Sequence, residues 1–199
     1  MYKRQVNSTA SLNNLSNGSF STIATRYPDD STWESLASYL TYKYKSSKDL
    51  IFHYGLRYSH IIINADLSAN NSFHNFPFSN ANLNTGALTG ALGLSWVQND
   101  TFQWKFNLTT AFRAPNIDDI GKIFDSAPGI VVVPNPDLKP EKSFGLELGS
   151  LISVNSKINF DFAVYYTHLY NSMIRSPFSM RVDSDDPSGS STVSYTHLR

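Results

Sequence analysis

The 199-residue chain contains no cysteine, so disulfide bonds, thiolate nucleophiles and cysteine-ligated metals are excluded. It contains no run of eighteen apolar residues either, so no segment reads as a membrane-spanning helix. Charged residues make up only 16% of the chain, below the roughly 25% of average soluble domains. Lys+Arg and Asp+Glu balance at 16 each, so no net field attracts nucleic acid, and we expect no nucleic-acid partner.

The chain also lacks common enzyme signatures. Neither a P-loop nor a Gly-x-Gly-x-x-Gly motif occurs. The run Gly93-Leu94-Ser95-Trp96-Val97 misses the last glycine of a nucleophile elbow. The histidines form no pair with metal-ligand spacing. We therefore predict that the chain is not an enzyme and carries neither a cofactor nor a metal site.

Alternating side chains are the main feature that is present. In residues 102–113, FQWKFNLTTAFR, most even-numbered positions are Phe, Trp or Leu, and the odd ones include Gln, Lys and Asn. A strict period of two is the signature of a strand with two unlike faces. The same pattern occurs in residues 33–45, 50–59, 87–97, 143–153 and 158–170.

The connections between these segments alternate in length. Short polar turns follow residues 45, 97 and 154, whereas the connections at 60–86 and 114–142 are long and rich in Asn, Ser, Asp and Pro. Tight turns therefore lie at one end of the strands and long loops at the other. Strands of this length span about 40 Å, and a tilt of about 40° lets them cross the ≈25 Å apolar band of a membrane barrel.

These patterns predict an all-β fold, an antiparallel up-and-down meander that forms part of a transmembrane β-barrel. About six strands are fewer than the roughly eight of the smallest single-chain barrels, so either several chains assemble the barrel or this chain is a piece of a larger one, and we expect the piece. The even-numbered face is predicted to meet lipid and the odd-numbered face the interior. The charged candidates for the interior are Arg57, Lys105, Glu147 and Asp161.

Two proline-containing motifs mark the long connection at 114–142. One comprises Phe112, Arg113, Ala114 and Pro115, and the other Asn135, Pro136, Asp137, Leu138, Lys139, Pro140 and Glu141. Proline fixes φ and restricts the residue before it, and the Arg113 guanidinium is suited to carboxylates or backbone carbonyls. We interpret these residues as structural: they shape the rim of the barrel rather than contact a substrate.

Together the two motifs resemble the C-terminal barrel of TonB-dependent outer-membrane receptors, and the resemblance covers roughly residues 26–178. It implies a roughly 22-stranded barrel closed by a plug domain, in the bacterial outer membrane. It also implies active uptake of a scarce ligand, energised through TonB. A ferric siderophore or other iron complex is the first expectation, with a glycan or cobalamin as alternatives.

The implied partners are outer-membrane lipid, the plug domain of the same full-length chain, and the TonB complex through a part absent from this sequence. The fragment alone is expected to transport nothing. Haem-uptake members of the family are associated with a histidine between the two motifs, and residues 116–134 contain none, which disfavours haem.

Two alternatives and one question about the ends stay open at this point. A passive porin-like channel would share the strands but lack a plug, and a soluble extracellular β-sandwich would pack its apolar face on a second sheet.

The terminal runs MYKRQ and VSYTHLR resemble translated sequencing-adapter read-through. Residues 6–192 are therefore predicted to belong to the barrel, and residues 1–5 and 193–199 to be non-native ends.

Overall fold

The computed structural model describes residues 1–23, 25–69, 76, 78–127, 130–155, 157–179 and 194–198. Strands account for nearly all of its regular structure. The elements in chain order are β1 (Tyr2–Val6), β2 (Ala10–Asn14), β3 (Ser19–Ile23), β4 (Ser31–Lys45), β5 (Leu50–Asn64), β6 (Leu83–Val97), β7 (Phe102–Arg113), α1 (Ile117–Ile120), β8 (Phe124–Ala127), β9 (Ile130–Val132), β10 (Glu141–Asn155), β11 (Ile158–Tyr170), β12 (Arg175–Ser179) and β13 (Ser194–Leu198).

A seven-stranded sheet with the order β1-β4-β5-β6-β7-β10-β11 dominates the fold. Every neighbouring pair in it is antiparallel. The six long strands are those predicted from the alternation, and the fold class is confirmed. The tight turns that begin after Lys45, Val97 and Asn155 lie at one end, and the long connections after Asn64 and Arg113 lie at the other.

The strand register gathers the even-numbered side chains on one face and the odd-numbered ones on the other. One row of directly opposite residues on the even face is Tyr42, Tyr54, Leu92, Leu108, Leu146 and Tyr166. The adjacent row on the odd face is Thr41, Gly55, Ala91, Thr109, Gly145 and Thr167. A continuous apolar face therefore backs a face of small and polar side chains.

No second layer of described residues covers the apolar face. Leu40 is 70% exposed, Phe162 57% and Val164 75%. A face this apolar is unfavourable in water but matches hydrocarbon. The soluble sandwich, which would bury this face against another sheet, does not describe the fold.

The sheet is open, which makes it a partial barrel. β1 pairs only with Ser31–Ser35, so the described residues leave the rest of β4 without a neighbour on that side. β11 forms the other edge. Unpaired backbone groups in a bilayer cost several kcal/mol each, so a membrane-embedded form requires further strands at both edges.

A small apolar core lies at the long-connection end. Ile63, Leu67 and Ile120 are almost fully buried there, together with Ala81 and Leu138. Ile63 belongs to the odd-numbered face, which is polar over most of the sheet. The loops therefore fold over the inner face at this end, and we call the loop residues around this core the cap.

Three features of the cap region were not predicted from the sequence. β5 extends to Asn64 instead of ending at residue 59, and β6 begins at Leu83 instead of residue 87. The connection from Arg113 to Glu141 contains α1, β8 and β9 in place of an irregular loop. Among the described residues, no helix is both long and apolar enough to cross a membrane.

Two smaller sheets complete the described fold. β2 and β3 form a hairpin, and a four-stranded sheet has the order β12-β13-β9-β8, with β13 parallel to β9. The predicted non-native ends thus include residues that lie in β1 and β13. Whether residues 1–5 and 193–199 are native stays a prediction.

Candidate functional site

Arg113 joins the two proline-containing motifs at the rim. Arg113 ends β7 and faces Glu141, the first residue of β10. Its Nη1 donates to Glu141 Oε2 at 2.9 Å and its Nη2 donates to Asp119 Oδ2 at 3.2 Å. Glu141 Oε1 in turn accepts the backbone N–H of Met173 at 2.7 Å. One guanidinium thus ties both strand ends to α1, and the carboxylate extends the network to the segment after β11.

Asp119 has a second role, because it also satisfies backbone donors at the N-terminus of α1. Its Oδ2 accepts the backbone N–H of Asn116 at 3.0 Å, and Asn116 Oδ1 accepts the N–H of Asp119 at 2.9 Å. This reciprocal pair is a capping box, which satisfies backbone donors at a helix start. Pro115, fully buried just before it, ends the strand. The FRAP sequence therefore turns the chain from β7 directly into α1.

The second motif forms a turn that inserts one leucine into the cap. Asn135 Oδ1 accepts the N–H of Asp137 at 3.0 Å, and Leu138 is only 3% exposed. Asp137 and Lys139 point into solvent, and the Pro140 carbonyl accepts from Asn171 Nδ2 at 3.5 Å. The geometry of both motifs is that of a structural rim.

Breaking the rim network at its carboxylate should cost more stability than breaking it at its guanidinium. Arg113→Ala removes contacts of a half-exposed side chain, an effect of about 1 kcal/mol. Glu141→Ala keeps the exposed Arg113–Asp119 pair, but it removes the Arg113–Glu141 pair and leaves the partly buried Met173 N–H without its acceptor, a loss of about 1–3 kcal/mol. The free energy of unfolding of both single variants and the double variant, measured by denaturant titration, checks this order. A larger loss for Arg113→Ala would contradict the proposed arrangement.

A second cluster fixes α1 to the segment before β4. The Tyr27 hydroxyl donates to Asp118 Oδ1, which also accepts from Lys122 Nζ at 3.3 Å. The Tyr27 hydrogen bond holds the pKa of the Asp118 carboxyl below its ordinary value, and the same bond raises the pKa of the Tyr27 hydroxyl. Both shifts favour the neutral phenol and the ionised carboxylate.

This pair should make cap stability depend on pH at the acidic end. Because the pKa of Asp118 is lowered on folding, its contribution is present above the ordinary aspartate value and is lost as pH falls through the lowered value. We expect the stability difference between wild type and Tyr27→Phe to shrink as pH falls from about 6 to about 2. Thermal unfolding of both proteins across this range measures it. A constant difference would show that the bond does not act on Asp118.

The four predicted interior residues all lie on the odd-numbered face. Lys105 Nζ lies 3.9 Å from Asp161 Oδ2, and Asn107 Nδ2 donates to Glu147 Oε1 at 3.0 Å. Arg57 lies apart from these pairs and donates from Nε to Ser59 Oγ at 2.9 Å. The interior charges on β7, β10 and β11 are therefore largely paired across strands.

A shallow trough of about 450 Å³ lies on the inner face between β4 and β7. The residues that line it include the polar Lys43, His53 and Asn107 and the glycines Gly55 and Gly93. A Cβ added at Gly93 would lie 3.1 Å from Asn107 Oδ1 and 3.3 Å from His53 Cβ. Glycine at this position therefore leaves room for the side chains of its two cross-strand neighbours.

The described residues contain no group of three or more His, Asp or Glu side chains that could hold a metal ion. Asp118 and Asp119 are engaged with Tyr27, Lys122 and Arg113. The arrangement at the rim therefore fits a network that holds loops in place.

A model of the TonB dependent receptor-like β-barrel matches residues 2–193, nearly the whole chain. The chain belongs to this family. The two motifs joined by Arg113 are thus part of the barrel of a TonB-dependent receptor, a family of transport receptors of the outer membrane.

Solved structures show the same fold. The hemophore receptor HasR of Serratia marcescens, solved in complex with its hemophore HasA and heme, superposes with a TM-score of 0.63 at 16% identity, over 90% of this chain. The copper transporter OprC superposes with a TM-score of 0.62 at 14% identity, over 94% of this chain. The chain covers 31% of HasR and 27% of OprC. No curated protein sequence matches it.

Proposed function

We propose that this chain is a wall segment of an active transport receptor that imports an iron complex, with a ferric siderophore as the first candidate. Family membership supports the receptor barrel. The main observation that supports a receptor wall is the Arg113–Glu141 ion pair. It joins the two motifs by which the family is recognised, and it fixes the loops that border the entrance.

The ligand class is inferred from the long connection at 114–142 and from the polar groups of the inner face. HasR is a hemophore receptor, solved in complex with its hemophore and heme, but residues 116–134 of this chain contain no histidine. A siderophore complex presents oxygen-rich, often anionic surfaces, which suit the hydroxyl, amide and basic groups on the inner face. A glycan or cobalamin remains the alternative cargo within the same proposal.

Energy for transport would come through TonB acting on a plug domain. Both belong to parts of the system outside this sequence, and the polar inner face is the surface that a plug would fill. In this arrangement Lys105, Glu147, Asp161 and Arg57 line the plug side of the wall. The isolated chain, with two open sheet edges, is expected to transport nothing.

Uptake by cells that carry the intact protein tests the proposal. Deletion of its gene should abolish uptake of a radiolabelled ferric siderophore under iron limitation, and deletion of TonB should have the same effect. Uptake that persists without TonB would support a passive channel. Loss of growth on a glycan with normal iron uptake would overturn the iron complex and retain the receptor.

A further inference from the structure

Basic side chains occur on the outward face at one end only. The even-numbered positions from β4 to β11 are mostly apolar, aromatic or small. Their basic members, His60, Lys142 and His168, all lie in the half of each strand next to the long connections. The one acidic member, Glu34, is paired with Lys3 at 2.8 Å. The outward face is thus apolar at its centre and carries its basic side chains at one rim.

Aromatic rings hold two of these basic side chains in the same way on separate strands. Tyr58 stacks on His60 at 6.2 Å, and Tyr166 stacks on His168 at 6.5 Å. In each pair the hydroxyl lies near the imidazole Nδ1, at 3.2 Å and 3.5 Å. The ring of Tyr170 meets His168 edge-on at 4.3 Å.

Both Tyr–His pairs lie at the same height above the tight turns. Each tyrosine is eight residues beyond the first residue of its strand, Leu50 or Ile158. Eight to ten residues of a strand tilted by about 40° rise roughly 20–25 Å. With the first residue of each strand at the inner limit of the ≈25 Å apolar band, the histidines reach its outer limit, where lipid headgroups begin.

Lys142 is next to one of these pairs. It is directly opposite Tyr170 across the β10–β11 ladder, and His168 is its diagonal neighbour on the same face. Lys142 is exposed, and no carboxylate among the described residues forms an ion pair with it. An exposed ammonium in this position is available to an anion from outside the sheet.

A depression of about 610 Å³ adjoins Lys142. Its lining includes Phe112, Phe144 and Tyr170 on the outward face and Ala87 and Ala111 on the inward face. Toward the long connections, β6 and β7 are no longer paired beyond Ala91 and Thr109. The depression lies where this pairing has ended. On the outward side, the aromatic rings that line this depression stand beside a lysine that forms no ion pair with the described residues, which suits the acyl chain and the phosphate of an anionic lipid.

We propose that Lys142, His168 and Tyr170 bind the phosphate of an outer-leaflet lipid whose acyl chain lies against Phe112 and Phe144. The ammonium and the imidazole N–H donate to phosphate oxygens, as does the tyrosine hydroxyl. The proposal requires that the barrel spans the outer membrane, and it is independent of the transported ligand and of TonB.

Native mass spectrometry of the intact receptor in neutral detergent tests this site. The probe is dioleoyl phosphatidic acid, and the reference is dioleoylglycerol, which has the same acyl chains without phosphate. Lys142→Gln should weaken binding of phosphatidic acid about tenfold, the value of one charge-assisted contact of about 1.4 kcal/mol. Lys142→Arg should retain binding, which also shows that the position tolerates replacement.

Lys43→Gln is the matched control, because it removes a lysine from the inner face of the same sheet. It should leave lipid binding unchanged. Equal binding of both lipids, equal affinity of wild type and Lys142→Gln, or an equal loss in Lys43→Gln would each overturn the proposal. Displacement of the lipid by inorganic phosphate at the same concentration would also overturn it, since the site would then select a free anion.

Discussion

Phe106→Arg should prevent assembly of the intact receptor, whereas Asn107→Arg, one residue further along the same strand, should assemble normally. Phe106 lies on the outward face of β7 between Leu94 and Leu148. Arginine near the bilayer midplane of a barrel costs about 2–4 kcal/mol. That cost applies while the strand inserts, so the variant should fail to reach the outer membrane.

Asn107 is a suitable control because it differs from Phe106 in face and not in depth. Its side chain donates to Glu147 and borders the space left by Gly93. Arginine at 107 can pair with the Glu147 carboxylate. The amount of each variant in purified outer membranes gives the result. Equal loss of both variants would show that the two faces do not meet different surroundings.

Ile120→Ala should release the cap while leaving the strands in place. Ile120 is 2% exposed and packs in the core with Ile63 and Leu138. Truncating a buried isoleucine to alanine costs about 2–5 kcal/mol, through lost burial and the cavity left behind. Because the cap core contains few residues, such a loss should be enough to open it locally.

Hydrogen exchange at residues 116–123 of the intact receptor measures this effect. Protection there should fall by at least tenfold, while protection in β7 and β10 stays unchanged. Ile174→Ala is the control, since Ile174 lies near the same end and is 59% exposed. If exchange in β7 and β10 rose as well, the cap and the barrel wall would form one cooperative unit.

The strands were predictable because their two faces meet different surroundings. Phe102, Phe106 and Phe162 on the outward face alternate with Gln103 and other polar residues on the inward face. The alternation disappears where the surroundings become alike. At Ile61, Ile62 and Ile63 the inner face meets the cap core, so both faces are apolar, and the pattern no longer marks the end of β5.

The rim site was predictable in part. The two motifs indicated that Arg113 would bind carboxylates or backbone carbonyls, but the sequence did not choose between these acceptors or among the nearby acidic residues. Asn116 and Asp119 carry a capping-box spacing that could have indicated α1. The contact between Glu141 and the Met173 N–H joins distant segments, and no local signal marks it.

Interior pairs depend on register, which parity alone does not supply. Lys105, Glu147 and Asp161 were placed on one face by their odd numbers. That Lys105 meets Asp161 and Glu147 meets Asn107 follows from the alignment of β7, β10 and β11. A shift of two residues would preserve the faces and change every partner.

The central claim is that lipid surrounds the even-numbered side chains of the sheet. This chain contains no cysteine, so once any cysteine elsewhere in the intact receptor is replaced, single cysteines can be introduced at each position of β7 and spin-labelled in bilayers. Collision with oxygen, which concentrates in lipid, should peak at positions 102, 104, 106 and 108. Collision with a water-soluble nickel complex should peak at the odd-numbered positions between them. Profiles without this alternation, or with the two peaks exchanged, would contradict the account.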